Sequence, residues 1–248
     1  MDLESQGAIY NYPYGYRGQK LGGRLFRQVA RVGELAPDFT IHTLDSGQVT
    51  LSSYFTSGYT VLQFGSFTCP LCVTAVPDME RLAGKYRPKE MNFAFVYTRE
   101  AHPGRRYPHH TTFDQKVACA RMMRENLGVT RPILVDDLDG RVHLLYGGVN
   151  AMTYVIDKNG IIVFRQYYTD TDLLSKALAQ FDKMNEERRF SGNFAFRGGY
   201  KSAYCEWKYD LPVDMKPTIE WLKNNGPESI MDMALPQIRA GIRARNTS

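Results

Sequence analysis

Short apolar runs alternate with segments of helical periodicity through the middle of the chain. Apolar runs bounded by polar or turn residues predict buried strands, here at 60–65, 91–97 and 132–135. Segments in which apolar residues recur every three or four positions predict helices, here at 69–86, 114–127 and 172–184. Pro77 is expected to kink the first of these helices. The βαβα order indicates an α/β fold with a central mixed sheet flanked by helices.

Two pairs of short apolar runs predict β-hairpins at the two ends of this unit. The first pair is 36–41 and 48–51. The second pair, 153–156 and 161–165, flanks the turn sequence Asp157-Lys158-Asn159-Gly160. The Asn-Gly dipeptide in this turn suits the positive φ angles of a tight hairpin.

The composition divides the chain into an N-terminal arm (1–32), a central domain (33–186) and a C-terminal extension (187–248). The arm is rich in Tyr and Gly, with tyrosines alternating at 10, 12, 14 and 16. We expect it to cover the core or a sister subunit, because such amphipathic rings pack on apolar surfaces; an aromatic face for a ligand is the alternative. The extension, with helical patterns at 216–224 and 235–245, is expected to complete the core or an oligomer.

The charge pattern restricts the partners of the protein. The 31 basic and 26 acidic residues give a net charge of +5 and form no block of like charge, which argues against nucleic-acid binding. No apolar run approaches the roughly 20 residues that span a bilayer, so no membrane partner is predicted. Four cysteines are too few for a disulfide scaffold, and the N-terminus lacks the pattern of a signal peptide. We therefore expect a cytoplasmic protein.

The motif Cys69-Pro70-Leu71-Cys72 follows the predicted strand at 60–65 and opens the next helix. The positive end of a helix dipole stabilises a thiolate, so we expect Cys69 to be an exposed nucleophile. Cys72 would resolve the reaction by closing a disulfide. The alternative is a zinc site, with further ligands from Cys119, Cys205 or histidines. No second pair has the spacing of zinc ligands, so no metal is predicted.

Three segments resemble the thioredoxin-fold redoxins. They are the opening Ala36-Pro37-Asp38-Phe39, the Cys69-Pro70-Leu71-Cys72 motif followed by Pro77, and the hairpin at 154–160. The resemblance implies that 33–186 is a thioredoxin-like, peroxiredoxin-like redox domain. It also implies that an external thiol, such as thioredoxin or glutathione, serves as reductant, with no bound cofactor.

A narrower set of motifs resembles the iodothyronine deiodinases. The segment 64–70 is similar to their active-site turn, with Cys69 where they carry selenocysteine, and 96–102 is similar to their Glu-Ala-His segment. The resemblance implies a thiol-dependent oxidoreductase whose small-molecule substrate is a halogenated aromatic compound. It implies catalytic roles for Ser66, Thr68, His102 and His110, the histidines managing protons, and a substrate pocket formed by Glu100, Tyr107 and Met152.

Departures from these families keep other functions open. Cys72 adds a second thiol, and Met152 stands where thioredoxins place a cis-proline. Peroxiredoxins carry a Ser or Thr three residues before the nucleophile, and Ser66 occupies this position. They also carry an arginine near the strand that corresponds to 153–156, and here Arg99 or Arg121 would have to replace it. The alternatives are a thiol peroxidase, a thiol-disulfide oxidoreductase, or a non-catalytic binding or assembly protein that forms oligomers through its terminal extensions.

Overall fold

The computed structural model describes residues 10–12, 25–45, 47–55 and 58–191 of the 248-residue chain. The predicted helices at 216–224 and 235–245, together with Tyr14, Tyr16 and Cys205, lie outside the described residues. The predicted boundary between domain and extension, after 186, falls inside the last described helix.

A seven-stranded mixed sheet organises the described part of the chain, in the order β2-β1-β5-β4-β3-β6-β7. The strands are β1 (Thr40–Thr43), β2 (Gln48–Thr50), β3 (Thr60–Gly65), β4 (Asn92–Tyr97), β5 (Ile133–Val135), β6 (Thr153–Ile156) and β7 (Ile162–Gln166). The central strands β3, β4 and β5 run parallel, and the outer strands pair antiparallel. The predicted mixed α/β sheet and both predicted hairpins are therefore confirmed, with Gly160 at φ +79° in the second turn.

Helices cover both faces of the sheet. They are α1 (Pro70–Thr74), α2 (Val76–Tyr86), α3 (Phe113–Leu127), α4 (Arg141–Leu145) and α5 (Thr171–Ser191), with 3₁₀ turns at Leu51–Tyr54 and Arg87–Lys89. Successive strand residues point to opposite faces. In β3, Val61 accordingly packs with residues of α2 and α5, while Leu62 and Phe64 belong to the core cluster on the other face. No helix in the described part is long and apolar enough to cross a membrane.

The helix predicted at 69–86 is present as two segments separated by Ala75, and this break two residues before Pro77 confirms the expected kink. The chain leaves α1 after Thr74 and starts α2 at Val76, so that Pro77 lies in the first turn of a new helix. Proline is tolerated there because a first-turn N–H has no partner within the helix. Cys69 therefore precedes a helix of only five residues.

Helix α4 was not predicted, because five residues are too few to show helical periodicity. Its start is fixed by a buried side chain, since Asp136 accepts hydrogen bonds from the backbone N–H groups of Val142 (3.0 Å) and His143 (2.9 Å). Gly140 precedes the helix at φ +71°, a conformation that favours glycine.

Candidate active site

Two loops at the carboxyl ends of β3 and β4 meet to form the site. The two strands are parallel neighbours, with Gly65 opposite Tyr97, so the segments that follow them leave the sheet side by side. Thr98 N–H donates to Gly65 O (2.9 Å), and Ala101 N–H donates to Ser66 Oγ (3.0 Å). Ser66 is thus a buried acceptor that holds the second loop against the first.

Cys69 lies immediately before α1 with extended backbone and reduced sulfur. Its side chain is only 4% exposed and packs with Cys72, Ala101 and Ala151. The expectation of an exposed sulfur is therefore wrong. The sulfur is covered by Ala101, from the loop after β4, and by Ala151, from the loop before β6.

Cys72 lies beneath Cys69 and is fully buried. Its Sγ donates to Asn150 O (3.2 Å), and a Cβ on Gly65 would approach this sulfur to 2.7 Å. Burial, followed by the contact with Cys69, raises the pKa of the Cys72 thiol well above 9.0. The second cysteine is accordingly a protonated thiol held next to the first.

Glu100 is a buried carboxylate that ties the two loops together. Its Oε2 accepts from Thr68 N–H (3.0 Å) and from Thr68 Oγ1 (2.5 Å), and its Oε1 accepts from the Tyr97 hydroxyl. The His110 Nε2 lies 3.2 Å from Oε1. Burial raises the pKa of Glu100, but the pairing with His110 and the donors Thr68 and Tyr97 outweigh it, so the pKa falls below 4.5.

His102 joins this network through its backbone. Its N–H donates to Thr68 Oγ1 (3.1 Å), which makes Thr68 a bridge between Glu100 and His102 one residue before Cys69. Burial lowers the pKa of the His102 imidazole, although the charge on Glu100 opposes this shift. The ring is therefore neutral near pH 7. β4 ends at Tyr97, so His102 lies in the loop that follows this strand.

Three other predicted site residues lie further from the sulfurs. His110 is buried against Glu100 and the Tyr97 ring, and no described contact joins it to either cysteine. The half-buried ring of Tyr107 packs on Phe67, at a centroid distance of 5.0 Å. The fully buried side chain of Met152 belongs to the cluster that contains Phe64 and Tyr154, whereas Ala151 packs with the cysteines. Residue 152 immediately precedes β6 and its side chain faces the core, and its place in a substrate pocket stays a prediction.

The expected packing of the N-terminal arm on the core is confirmed for the strap formed by Tyr10, Asn11 and Tyr12, whereas its place near the active site was not predicted. Both tyrosines are buried; the Tyr10 hydroxyl pairs with His143 Nδ1 (2.9 Å), and the Tyr12 hydroxyl donates to Ala101 O (3.0 Å). Burial raises the pKa of Tyr12, and charges on Cys69 and Glu100 add to the rise, while Arg99 and a hydrogen bond with Asn150 oppose it. The Tyr10–Tyr12 strap therefore packs on the loop that contains Ala101, a residue in contact with the cysteines.

Arg99 is the buried cation next to this strap. Its guanidinium carbon lies 4.8 Å from the centre of the Tyr10 ring and 5.0 Å from that of Tyr12, and Nη1 donates to Tyr10 O (3.2 Å). Arg121, the other candidate for a peroxiredoxin-like arginine, is exposed on α3. The alternating tyrosines indicate in the sequence that the arm packs on another surface. No sequence pattern indicates that Arg99 is their partner.

The zinc alternative for the CxxC pair finds no support among the described residues. The one convergent group of metal-ligating side chains in that part of the chain is Glu100, His110 and Cys119, and it includes neither Cys69 nor Cys72. Both CxxC thiols are free and adjacent, which is the arrangement of a dithiol that can form a disulfide.

The mixed sheet, the flanking helices and a CxxC pair at the end of a central strand define a thioredoxin-fold redoxin, a thiol-dependent oxidoreductase. The model of the AhpC/TSA family matches residues 32–165, more than half of the chain. The chain belongs to the AhpC/TSA family. Comparison with curated proteins gave no match.

Several solved structures are similar to this chain. A conserved protein from Geobacillus kaustophilus is 21% identical with a TM-score of 0.52, over 63% of this chain and 84% of that one. A putative protein disulfide isomerase from Bacteroides thetaiotaomicron is 23% identical with a TM-score of 0.49, over 65% and 96%. A putative thiol:disulfide interchange protein, DsbE, from Chlorobium tepidum is 23% identical with a TM-score of 0.48, over 62% and 96%. The narrower resemblance to deiodinases is not among these findings and stays a prediction.

Proposed function

We propose that the protein is a two-cysteine thiol peroxidase, in which Cys69 attacks a small hydroperoxide and Cys72 resolves the product. One observation carries this proposal: a protonated, buried Cys72 thiol lies against Cys69, which is itself only 4% exposed. A reduced pair in this arrangement supports an internal disulfide. The low exposure favours a reactant of a few atoms.

The reaction proceeds in three balanced steps. The Cys69 thiolate attacks the terminal oxygen of ROOH, the O–O bond breaks, and RO⁻ takes a proton to leave as ROH. Cys72 sulfur then attacks the Cys69 sulfenic acid, forming the disulfide, and its thiol proton leaves with the hydroxyl as water. An external dithiol finally reduces the disulfide and is itself oxidised, which restores both thiols.

The surrounding groups take supporting roles in this scheme. A neutral His102 imidazole accepts the Cys69 proton and returns it to the leaving alkoxide. Glu100 and Thr68 are positioning residues, because their hydrogen bonds fix the residue before Cys69. His110 acts through Glu100. Arg99 supplies positive charge near the Tyr10–Tyr12 strap, where an anionic transition state would benefit.

Two other substrates remain predictions within the same dithiol chemistry. A protein disulfide is larger than a hydroperoxide and would require displacement of Tyr12 before it reached Cys69. A halogenated aromatic compound, which Cys69 would attack at the halogen, is favoured by the position of the Glu100-Ala101-His102 segment beside Thr68. The thiol reductant, a cytoplasmic location and a homo-oligomer likewise remain predictions.

The test is turnover by reduced protein with hydrogen peroxide, insulin disulfide and an iodinated phenol in parallel, each with a thioredoxin-coupled reductant. We expect peroxide to be consumed fastest and Cys69→Ser to abolish turnover. Cys72→Ser should allow one sulfenic acid to form and then stall. Cys205→Ser, a cysteine change outside both the CxxC pair and the group of Glu100, His110 and Cys119, is the matched control and should keep full activity. Unchanged peroxide turnover in Cys69→Ser, or no turnover above background by the parent protein, overturns the proposal.

A further inference from the structure

Next to the CxxC loops lies a group of three potential metal ligands, of which Glu100 and His110 position the active-site loop and Cys119 has no part in the peroxidase scheme. Glu100, His110 and Cys119 each offer one ligand atom, and these atoms all lie within 4.8 Å of one another. They come from separate elements, since Glu100 and His110 belong to the loop after β4 and Cys119 to α3. From this convergence we infer that the protein binds one Zn²⁺ ion through Glu100, His110 and Cys119.

The imidazole of His110 is the independent observation that points to a ligand. The side chain is about 1% exposed, and neither ring nitrogen has a partner with hydrogen-bond geometry, because the Glu100 carboxylate at 3.2 Å is not aligned with Nε2. A buried polar group without a hydrogen bond is costly, and native structures seldom retain one without a reason. A metal ion bound to a ring nitrogen removes that cost.

The donor set and its dimensions select the cation. Nitrogen, oxygen and sulfur donors together suit Zn²⁺, whereas Mg²⁺ and Ca²⁺ prefer oxygen alone. Zinc bonds of about 2.0–2.3 Å place ligand atoms roughly 3.2–3.8 Å apart in a tetrahedron. The 3.2 Å between His110 Nε2 and Glu100 Oε1 already fits this range. No separation among the three ligand atoms is above 4.8 Å, so side-chain rotations would have to close roughly 1–1.6 Å at most. A carboxylate and a thiolate also balance the +2 charge of the ion.

The two oxygens of the Glu100 carboxylate have different partners. Glu100 Oε1 faces His110 and Tyr97, whereas Oε2 holds Thr68, so binding at Oε1 leaves the contact with the CxxC loop in place. Cys119 is only partly buried, so water can complete the fourth position from that side. Burial and the Glu100 charge raise the pKa of Cys119 to about 12, so zinc must displace a proton from this thiol.

The experiment uses the full-length chain with Cys69, Cys72 and Cys205 replaced by serine, which leaves Cys119 as the only one of the four cysteines. Co²⁺ replaces Zn²⁺ as a spectroscopic probe, because a thiolate-to-cobalt charge-transfer band can then arise only from Cys119. We expect one equivalent of Co²⁺ to give this band, one equivalent of Zn²⁺ to remove it, and one proton to be released per ion bound. This background lacks the redox cysteines, so its outcome is independent of the peroxidase proposal.

Variants in the same background decide between this site and fortuitous thiol binding. His110→Ala should weaken Co²⁺ binding at least tenfold, whereas the neighbouring His109→Ala should leave it unchanged. Zn²⁺ should raise the melting temperature of the background protein and leave that of a further Cys119→Ser variant unaffected, with circular dichroism confirming that each variant is folded. A folded background protein that gives no band, or a band equally strong in His110→Ala, overturns the inference.

Discussion

Thr68→Val removes a single hydroxyl at the point where the two active-site loops are joined. This hydroxyl donates to Glu100 Oε2 and accepts from the His102 N–H, and the side chain is 1% exposed. Valine keeps nearly the same shape, so the change deletes hydrogen bonds and creates no cavity. The Thr68 N–H bond to Glu100 is retained, which limits the loss to the hydroxyl's two bonds.

The expected loss follows from these two bonds. A hydrogen bond to a charged group contributes about 1.5–3 kcal/mol, and a buried donor left without a partner, here the His102 N–H, costs about 1–3 kcal/mol. Some relaxation of the loop reduces the sum. We expect Thr68→Val to lower the free energy of unfolding by about 2–4 kcal/mol.

The assay is denaturant unfolding of the parent, Thr68→Val, Glu100→Gln and the double variant. Removing one member of the pair should lessen the effect of removing the other, giving a coupling energy of at least about 1 kcal/mol. Thr74→Val is the matched control, because the Thr74 hydroxyl bonds to Pro70 O on the exposed face of α1 and should contribute less than about 0.5 kcal/mol. A Thr68→Val cost as small as that of the control, or strictly additive losses, would refute the reasoning.

Three further perturbations test other parts of the site. Tyr12→Ala should increase the rate of Cys69 alkylation by iodoacetamide at least severalfold, since the strap packs on the loop that contains Ala101, which contacts this thiol; an unchanged rate would show that Tyr12 does not cover it. Gly65→Ala should lower the free energy of unfolding, measured by chemical denaturation, by about 1–3 kcal/mol, because the new methyl group would lie 2.7 Å from Cys72 Sγ. An unchanged free energy of unfolding would mean that Cys72 moves freely to make space for this methyl group. Burial lowers the pKa of His143 well below 6.5. As the pH falls below 6.5, the unfolded protein therefore binds a proton at this residue that the folded protein does not bind. His143 should therefore contribute up to about 1.4 kcal/mol of lost stability per pH unit below that value. His143→Gln should make the pH profile shallower, and His102, whose pKa burial also lowers, should account for slope that remains; parallel pH profiles of the two proteins would contradict the assignment.

The parts of the fold that the sequence predicts are those governed by local pattern. β3 is a continuous apolar run and was predicted with its observed bounds. Helix α3 is one residue longer than predicted, and its start at Phe113 is set by a capping box between Thr112 and Gln115. In both elements the decisive signals lie within a few residues of one another.

The parts that the sequence does not predict depend on distant partners. The Tyr10–Tyr12 strap packs on residues more than 80 positions away, including Arg99 and Ala101. The burial of Cys69 also comes from distant residues, because Ala101 and Ala151 pack against it. The position of His110 behind Glu100 likewise depends on how the loop after β4 folds back, for which neither periodicity nor spacing gives a signal.

The internal disulfide is the step on which the proposed chemistry depends, and mapping it tests the account most directly. Reduced protein is treated with one equivalent of hydrogen peroxide, remaining thiols are alkylated, and peptides are identified by mass spectrometry. The account predicts a disulfide between Cys69 and Cys72 that dithiothreitol reverses, and a Cys69 sulfenic acid in its place in Cys72→Ser. Recovery of Cys69 and Cys72 as separately alkylated thiols in the oxidised parent protein, or their pairing with Cys119 or Cys205, would contradict it.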